Sequence, residues 1–203
     1  MKRLILSALL VFSFLPGFAQ IKPMNEFIDE LMSKMTVREK IGQLNLLPSG
    51  TISTGISDNS PVMETISKGE LGGILNLKGA DNIRKLQEAA VKKSRLGIPI
   101  IFGMDVIHGY ETVFPIPLAL SCTWNIPAIE HSAQIAAKEA SADGICWTYS
   151  PMVDIALDAR WGRIAEGNGE DPFLGSRIAE AMVHGYQGDF TQNSNIMACI
   201  KHF

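Results

Sequence analysis

Cysteine is scarce: Cys122, Cys146 and Cys199 are the only three in 203 residues. That is too few for a disulfide scaffold, and one thiol must stay unpaired. Each lies beside apolar residues, which predicts buried free thiols. A basic surplus is also missing, since 18 Lys and Arg face 21 Asp and Glu for a formal charge of −3. Nucleic acid is therefore not an expected partner. No HxxxH or CxxC pair starts a metal site, and no GxSxG elbow supports a serine hydrolase. No glycine-rich phosphate fingerprint follows the first strand-like segment, which weakens a dinucleotide-binding reading. What remains is a chain that is 46% hydrophobic, normal for a globular protein and too apolar for a disordered one. Its length suits one domain or part of a larger one.

The N-terminus reads as a targeting segment. Lys2 and Arg3 form a basic patch, Leu4 to Leu15 an apolar stretch broken by Ser7 and Ser13, and Gly17-Phe18-Ala19 follows Pro16 with small residues at the positions a signal peptidase reads. The apolar stretch is about a dozen residues, too short to cross a bilayer of roughly 30 Å as a helix. Residues 1–19 are thus predicted to be a signal peptide cut before Gln20. The rest, 20–203, is predicted to be exported to the periplasm or beyond, with no membrane association after cleavage.

Apolar spacing organises the rest. Met24, Phe27, Ile28, Leu31, Met32 and Met35 predict an amphipathic helix over 24–40. Thr36 and Glu39 have capping-box spacing and predict a second short helix through Ile41 and Leu44. Gly50 to Pro61 is rich in Gly, Ser and Thr and reads as loop. Then strands and helices alternate. Strands are expected at 71–77, 99–104, 145–153 and 196–200, and helices at 80–96, 127–142 and 173–186. Near-continuous apolar strands between helices imply parallel βα units.

Two architectures fit this α/β pattern, a doubly wound open sheet and a (β/α)8 barrel. Polar residues at the C-terminal ends of several strands favour the barrel: Asn76, Asp105 with His108, Asp154, and Lys201 with His202. A barrel takes about 250 residues, and only four or five strands fit here. The chain also stops at Phe203 directly after a strand, so the expectation is the N-terminal portion of a TIM-like barrel, truncated after about the fifth strand.

Three clusters could carry chemistry. Asp105 and His108 follow an apolar strand, with the stiff loop Phe114-Pro115-Ile116-Pro117 nearby. A carboxylate there can accept hydrogen bonds from adjacent sugar hydroxyls or simply cap the following turn. Arg160-Trp161-Gly162-Arg163 lies in a loop with Glu166, Glu170 and Asp171 close behind. Arg–carboxylate pairs would make rigid donors and Trp161 a flat wall for a sugar ring, against a plain solvated charge cluster. Lys201 and His202 close an apolar strand and can donate to a ligand without metal. His131 and His184 fall on helices and read as surface residues.

The run Gly103 to Gly109 with Phe114-Pro115-Ile116-Pro117, then Ser150-Pro151, Asp154, Arg160-Trp161-Gly162-Arg163, Glu166, Glu170-Asp171-Pro172 and Lys201-His202-Phe203 resembles glycoside hydrolase family 3. Within it, the exported bacterial β-glucosidases are the nearest in form. Order and spacing together carry the resemblance, which extends from Met35-Thr36 to the terminus. It implies an N-terminal barrel-like domain and retaining hydrolysis of terminal β-D-glucosyl residues from β-glucosides or oligosaccharides, with neither cofactor nor metal. Carried over residue by residue, Asp105, Arg163, Lys201 and His202 would bind the sugar of the −1 subsite. Glu166 would orient Arg163, and Arg160 would pair with a loop acid. The nucleophile and acid/base of the family lie further along than Phe203, so no catalytic residue is expected among these 203, and the chain alone is expected to be inactive. A β-xylosidase, an exo-glucanase or a non-catalytic carbohydrate-binding half-barrel are the rival readings.

Overall fold

The computed structural model describes residues 22–48 and 61–202. The predicted signal peptide, residues 50–60 of the predicted loop, and Phe203 lie outside them. The chain divides into two compact units, Met1–Met35 and Thr36–Phe203.

In the first unit, α1 (Met24–Lys34) starts directly after Pro23. Glu30 accepts ion pairs from Lys22 and, at 2.6 Å, from Lys34. The helix expected over 24–40 ends early, because Met35 turns extended at ψ 134°. Thr36 also stays extended and caps the next helix. No residue of α1 is buried, and Met24, Phe27, Ile28 and Met32 are exposed.

The second unit opens with α2 (Val37–Gly42), held by the expected capping box. Thr36 Oγ1 accepts the Glu39 N–H, and the Glu39 carboxylate accepts the Thr36 N–H at 2.8 Å. Arg95 then clamps the same carboxylate with Nε at 3.1 Å and Nη2 at 2.6 Å. The elements that follow are β1 (Leu46–Pro48), α3 (Pro61–Ser67), β2 (Gly73–Leu75), α4 (Ala80–Lys93), β3 (Ile101–Met104), α5 (Pro117–Ser121), α6 (Ile126–Ala142), β4 (Trp147–Thr148), a 3-10 turn (Ile164–Glu166) and α7 (Pro172–Gln187).

All four strands are parallel and lie in chain order, β1-β2-β3-β4. Residues 196–201 extend that order. Met197 N–H donates to Cys146 O at 2.9 Å, Cys199 N–H to Ser150 O at 2.9 Å, and Lys201 N–H to Pro151 O at 3.1 Å. Five parallel segments in sequence without a reversal are what barrel winding requires; a doubly wound sheet must reverse its order at a switch point.

Two short helices and one strand escape the periodicity argument. α5 starts at Pro117, the last residue of the expected stiff loop, because proline at the first helical position supplies a preset φ. α3 likewise begins at Pro61. β1 has three residues, too few to show a period, and becomes a strand by pairing Leu46–Pro48 with Gly73–Leu75.

The core gathers Ile74, Phe102, Val106, Ile129, Ile178 and Ile196, each almost wholly buried. Burial of one such aliphatic side chain contributes roughly 1.5–3 kcal/mol. α6 presents the small residues Ala133, Ala136, Ala137 and Ala140 along its buried face, and α7 packs on it closely. A Cβ on Gly185 would stand 2.5 Å from Glu130 O and 2.6 Å from Ala133 Cβ, so α7 needs glycine at that crossing.

The thiols depart from expectation. Cys146 and Cys199 are half-buried, but Cys122 is exposed, because it sits in the surface turn that ends α5. All three are free. His131 and His184 are exposed, on α6 and α7.

Candidate functional site

Parallel winding brings the C-terminal ends of the strands to one edge of the sheet, and of the polar residues expected there Asp105 meets Lys201 and Asp154 meets His202. Asp105 follows β3 directly, Asp154 follows the chain leaving β4, and Lys201 and His202 close the fifth segment. Lys201 Nζ lies 3.3 Å from Asp105 Oδ1. The lysine side chain is 14% exposed and the aspartate 47%, so the carboxylate opens outward while the ammonium is packed beneath. The Lys201–His202 peptide is cis.

Next to this pair runs a chain of four side chains. Arg163 Nε and Nη2 each donate at 2.7 Å to the two oxygens of Glu166, a bidentate fork. The third guanidinium nitrogen, Nη1, reaches His202 Nε2 at 3.2 Å. On its other side, His202 Nδ1 meets Asp154 Oδ2 at 2.8 Å. Arginine can only donate, so Nε2 is the acceptor and the ring proton sits on Nδ1, facing the carboxylate. His202 is thereby held in one orientation between Asp154 and Arg163, its Nε2 occupied by Arg163.

Charge follows the contacts. The Arg163 fork holds the Glu166 carboxyl below its ordinary value, and Glu166 in turn raises Arg163. Burial works to raise Asp154, yet the two hydrogen bonds from His202 outweigh it and leave the carboxyl lowered. Asp158 is lowered by Arg160. Three of the local acids are thus anions at neutral pH, suited to accepting hydrogen bonds and ill suited to donating the proton that a glycosidic leaving group needs. Among the described residues, no group of three or more His, Cys, Asp or Glu is placed to hold a metal ion.

Arg160 stands apart from the cluster. Its Nε and Nη2 grip Asp158 two residues away, and the side chain is 90% exposed. With Trp161 and Asp154, this pair lines an open cleft of about 740 Å³ that borders the cluster through Asp154. His108 turns to its own loop, with Nδ1 3.1 Å from Phe114 O. Asp171 caps α7 through the Phe173 N–H at 2.8 Å. The residue that motif reading left without a role is Asp154, the partner of His202. Its signal was its place at a strand end.

Residues 36–203 match the Glycosyl hydrolase family 3 N terminal domain. The chain belongs to glycosyl hydrolase family 3. Its α/β fold with a parallel sheet is that of the family's barrel-like N-terminal domain. Among family 3 relatives, the periplasmic beta-glucosidase of Salmonella typhimurium is 42% identical over 180 residues, covering 87% of this chain and 23% of that protein. A beta-xylosidase of Formosa agariphila is 32% identical, covering 81% of this chain and 25% of its own length. A crystal structure of the beta-glucosidase from Listeria innocua in complex with glucose superposes with a TM-score of 0.79 at 42% identity, over 89% of this chain and 27% of that one. The chain spans about a quarter of the length of the relatives it matches.

Proposed function

We propose that this family 3 chain supplies the sugar-holding part of an exported β-glucosidase that removes terminal β-D-glucosyl residues with retention of configuration. The observation that carries the reading is the Asp105–Lys201 pair, formed across 96 residues at the C-terminal edge of the sheet beside the Arg163–His202 contact. Asp105, half exposed, is the acceptor for sugar hydroxyls. Lys201 and the remaining N–H groups of Arg163 are donors, His202 fixes the Arg163 fork, and Trp161 offers an apolar wall. Arg160 and Glu166 act through the loop, one by gripping Asp158, the other by orienting Arg163. Such contacts speed hydrolysis where they tighten as the ring flattens toward an oxocarbenium ion.

The Salmonella and Listeria relatives, both β-glucosidases, support glucoside as substrate. A Listeria structure holding laminaribiose supports a β-linked oligosaccharide. The periplasmic relative and the leader-like residues 1–19 support export, and no helix among the described residues is long and apolar enough to cross a membrane. The Formosa relative keeps β-xylosidase as the second reading.

Retaining chemistry needs a nucleophile and an acid/base about 5–5.5 Å apart, and Asp158 and Glu166 are each committed to an arginine while Asp154 is committed to His202. The test is hydrolysis of p-nitrophenyl β-D-glucopyranoside and β-D-xylopyranoside by the complete gene product and by the 203-residue chain. Glucoside hydrolysis by the complete product alone is the expected result. Preference for xyloside would replace the substrate. Turnover by the 203-residue chain would force the nucleophile onto Asp105, Asp154, Asp158 or Glu166.

A further inference from the structure

Asp105 is itself held by one long ion pair, so what fixes it must lie in its backbone. Val106, the next residue, is fully buried and belongs to neither strand nor helix. Its N–H turns back to Met104 O at 3.0 Å and lies 3.3 Å from Thr148 Oγ1. Its carbonyl accepts from Tyr186 Oη at 2.7 Å, across 80 residues. Tyr186 Oη also stands 3.2 Å from Ser150 Oγ. Thr148, Ser150 and Tyr186 are all essentially inaccessible to solvent. This is a buried polar network in which each group has its partner, the kind that defines a single geometry.

We infer that Tyr186, on the far helix α7, is a positioning residue for Asp105: its hydroxyl pins the Val106 carbonyl and thereby sets where the Asp105 carboxylate meets the sugar. The inference rests on the reading of Asp105 as a substrate acceptor. Without the hydroxyl, the buried Val106 carbonyl loses its short 2.7 Å bond and keeps only the long 3.4 Å contact from Thr148 Oγ1, and the available relief is for the turn after β3 to move toward a better donor. Asp105 moves with it, since its side chain is half exposed and the 3.3 Å contact to Lys201 is too weak to hold it. A tyrosine whose hydroxyl only filled space would affect folding alone.

The test is a double-mutant cycle in the complete gene product on p-nitrophenyl β-D-glucopyranoside, with Tyr186→Phe, Asp105→Asn and the pair. Tyr186→Phe is expected to lower kcat/KM by about tenfold, the loss of one well-placed hydrogen bond. On the Asp105→Asn background the same change is expected to cost less than about twofold, because coupled sites are non-additive. Equal penalties on both backgrounds would overturn the inference and leave Asp105 in place. An Asp105→Asn protein with unchanged kcat/KM would overturn the substrate role of Asp105 as well, and so is distinguishable. Thr148→Val, which cuts the Val106 N–H contact from the other side, is expected to show the same coupling and serves if Tyr186→Phe does not fold.

Discussion

One oxygen of Asp154 accepts two hydrogen bonds from a single residue, the ring Nδ1 of His202 at 2.8 Å and its backbone N–H at 3.1 Å. The carboxylate thus fixes both the position of the main chain at the end of the fifth segment and the tautomer of the ring. Arg163 reads that tautomer through Nε2, and Glu166 holds Arg163 from behind. The order of protons along Asp154, His202, Arg163 and Glu166 follows from one rule, that a guanidinium never accepts.

Asp154→Asn breaks that order at its start, because an amide presents one neutral acceptor and a competing donor. The expected result is a drop in kcat/KM on β-glucoside of about ten- to a hundredfold, the range for losing hydrogen bonds to a charged group. Steady-state kinetics of the complete gene product checks it, with imidazole 15N shifts reporting the ring proton. Unchanged kinetics would remove Asp154 from the site.

Gly103 faces Tyr149 across the β3–β4 pairing, and a Cβ there would lie 2.2 Å from Tyr149 Oη and 2.7 Å from Cζ. Gly103→Ala is expected to destabilise by roughly 1–3 kcal/mol through overpacking. The Tyr149 hydroxyl is buried and has no hydrogen-bond partner among the described residues. Tyr149→Phe alone is therefore expected to leave the thermal midpoint level or raise it, and to recover part of the Gly103→Ala loss. Thermal unfolding of the three variants decides; a fall in the midpoint for Tyr149→Phe would mean that the hydroxyl has a partner.

Glu39 supplies an acid-side signature. Its side-chain hydrogen bonds with Arg95, followed by the Thr36 N–H, bring the carboxyl from 4.5 down to about 2. A carboxyl depressed in the folded state contributes stability above its ordinary value and loses it as pH falls through the folded one. Wild-type chain should therefore lose its advantage over Glu39→Gln as pH drops from 4.5 toward 2. Thermal midpoints across that range measure the gap. A constant gap would show that the Arg95 clamp does not distinguish the charged form.

Local chemistry was readable wherever partners lie within four residues. Thr36 and Glu39 announced their capping box, Asp105 and His202 their strand ends, and the family resemblance paired Glu166 with Arg163, which form a fork. β1 and α5 were not readable, since three and five residues carry no period. Pro117 was read as the end of a stiff loop and instead begins a helix. Cys122 showed the opposite error, an apolar setting in sequence that folds into an exposed turn.

Alternation of apolar strands with helices, the family motifs and the residues proposed to meet a sugar were all present in the amino-acid order. The folded chain decided who meets whom: Lys201 with Asp105 across 96 residues, Tyr186 with Val106 across 80, His202 with Asp154 across 48. The physical reason is reach. Helix and strand periodicities relate residues a few positions apart. Contacts between loops depend on the order in which strands pair and on how closely α7 can approach α6. A glycine and a row of alanines set that approach, and no local pattern announces it.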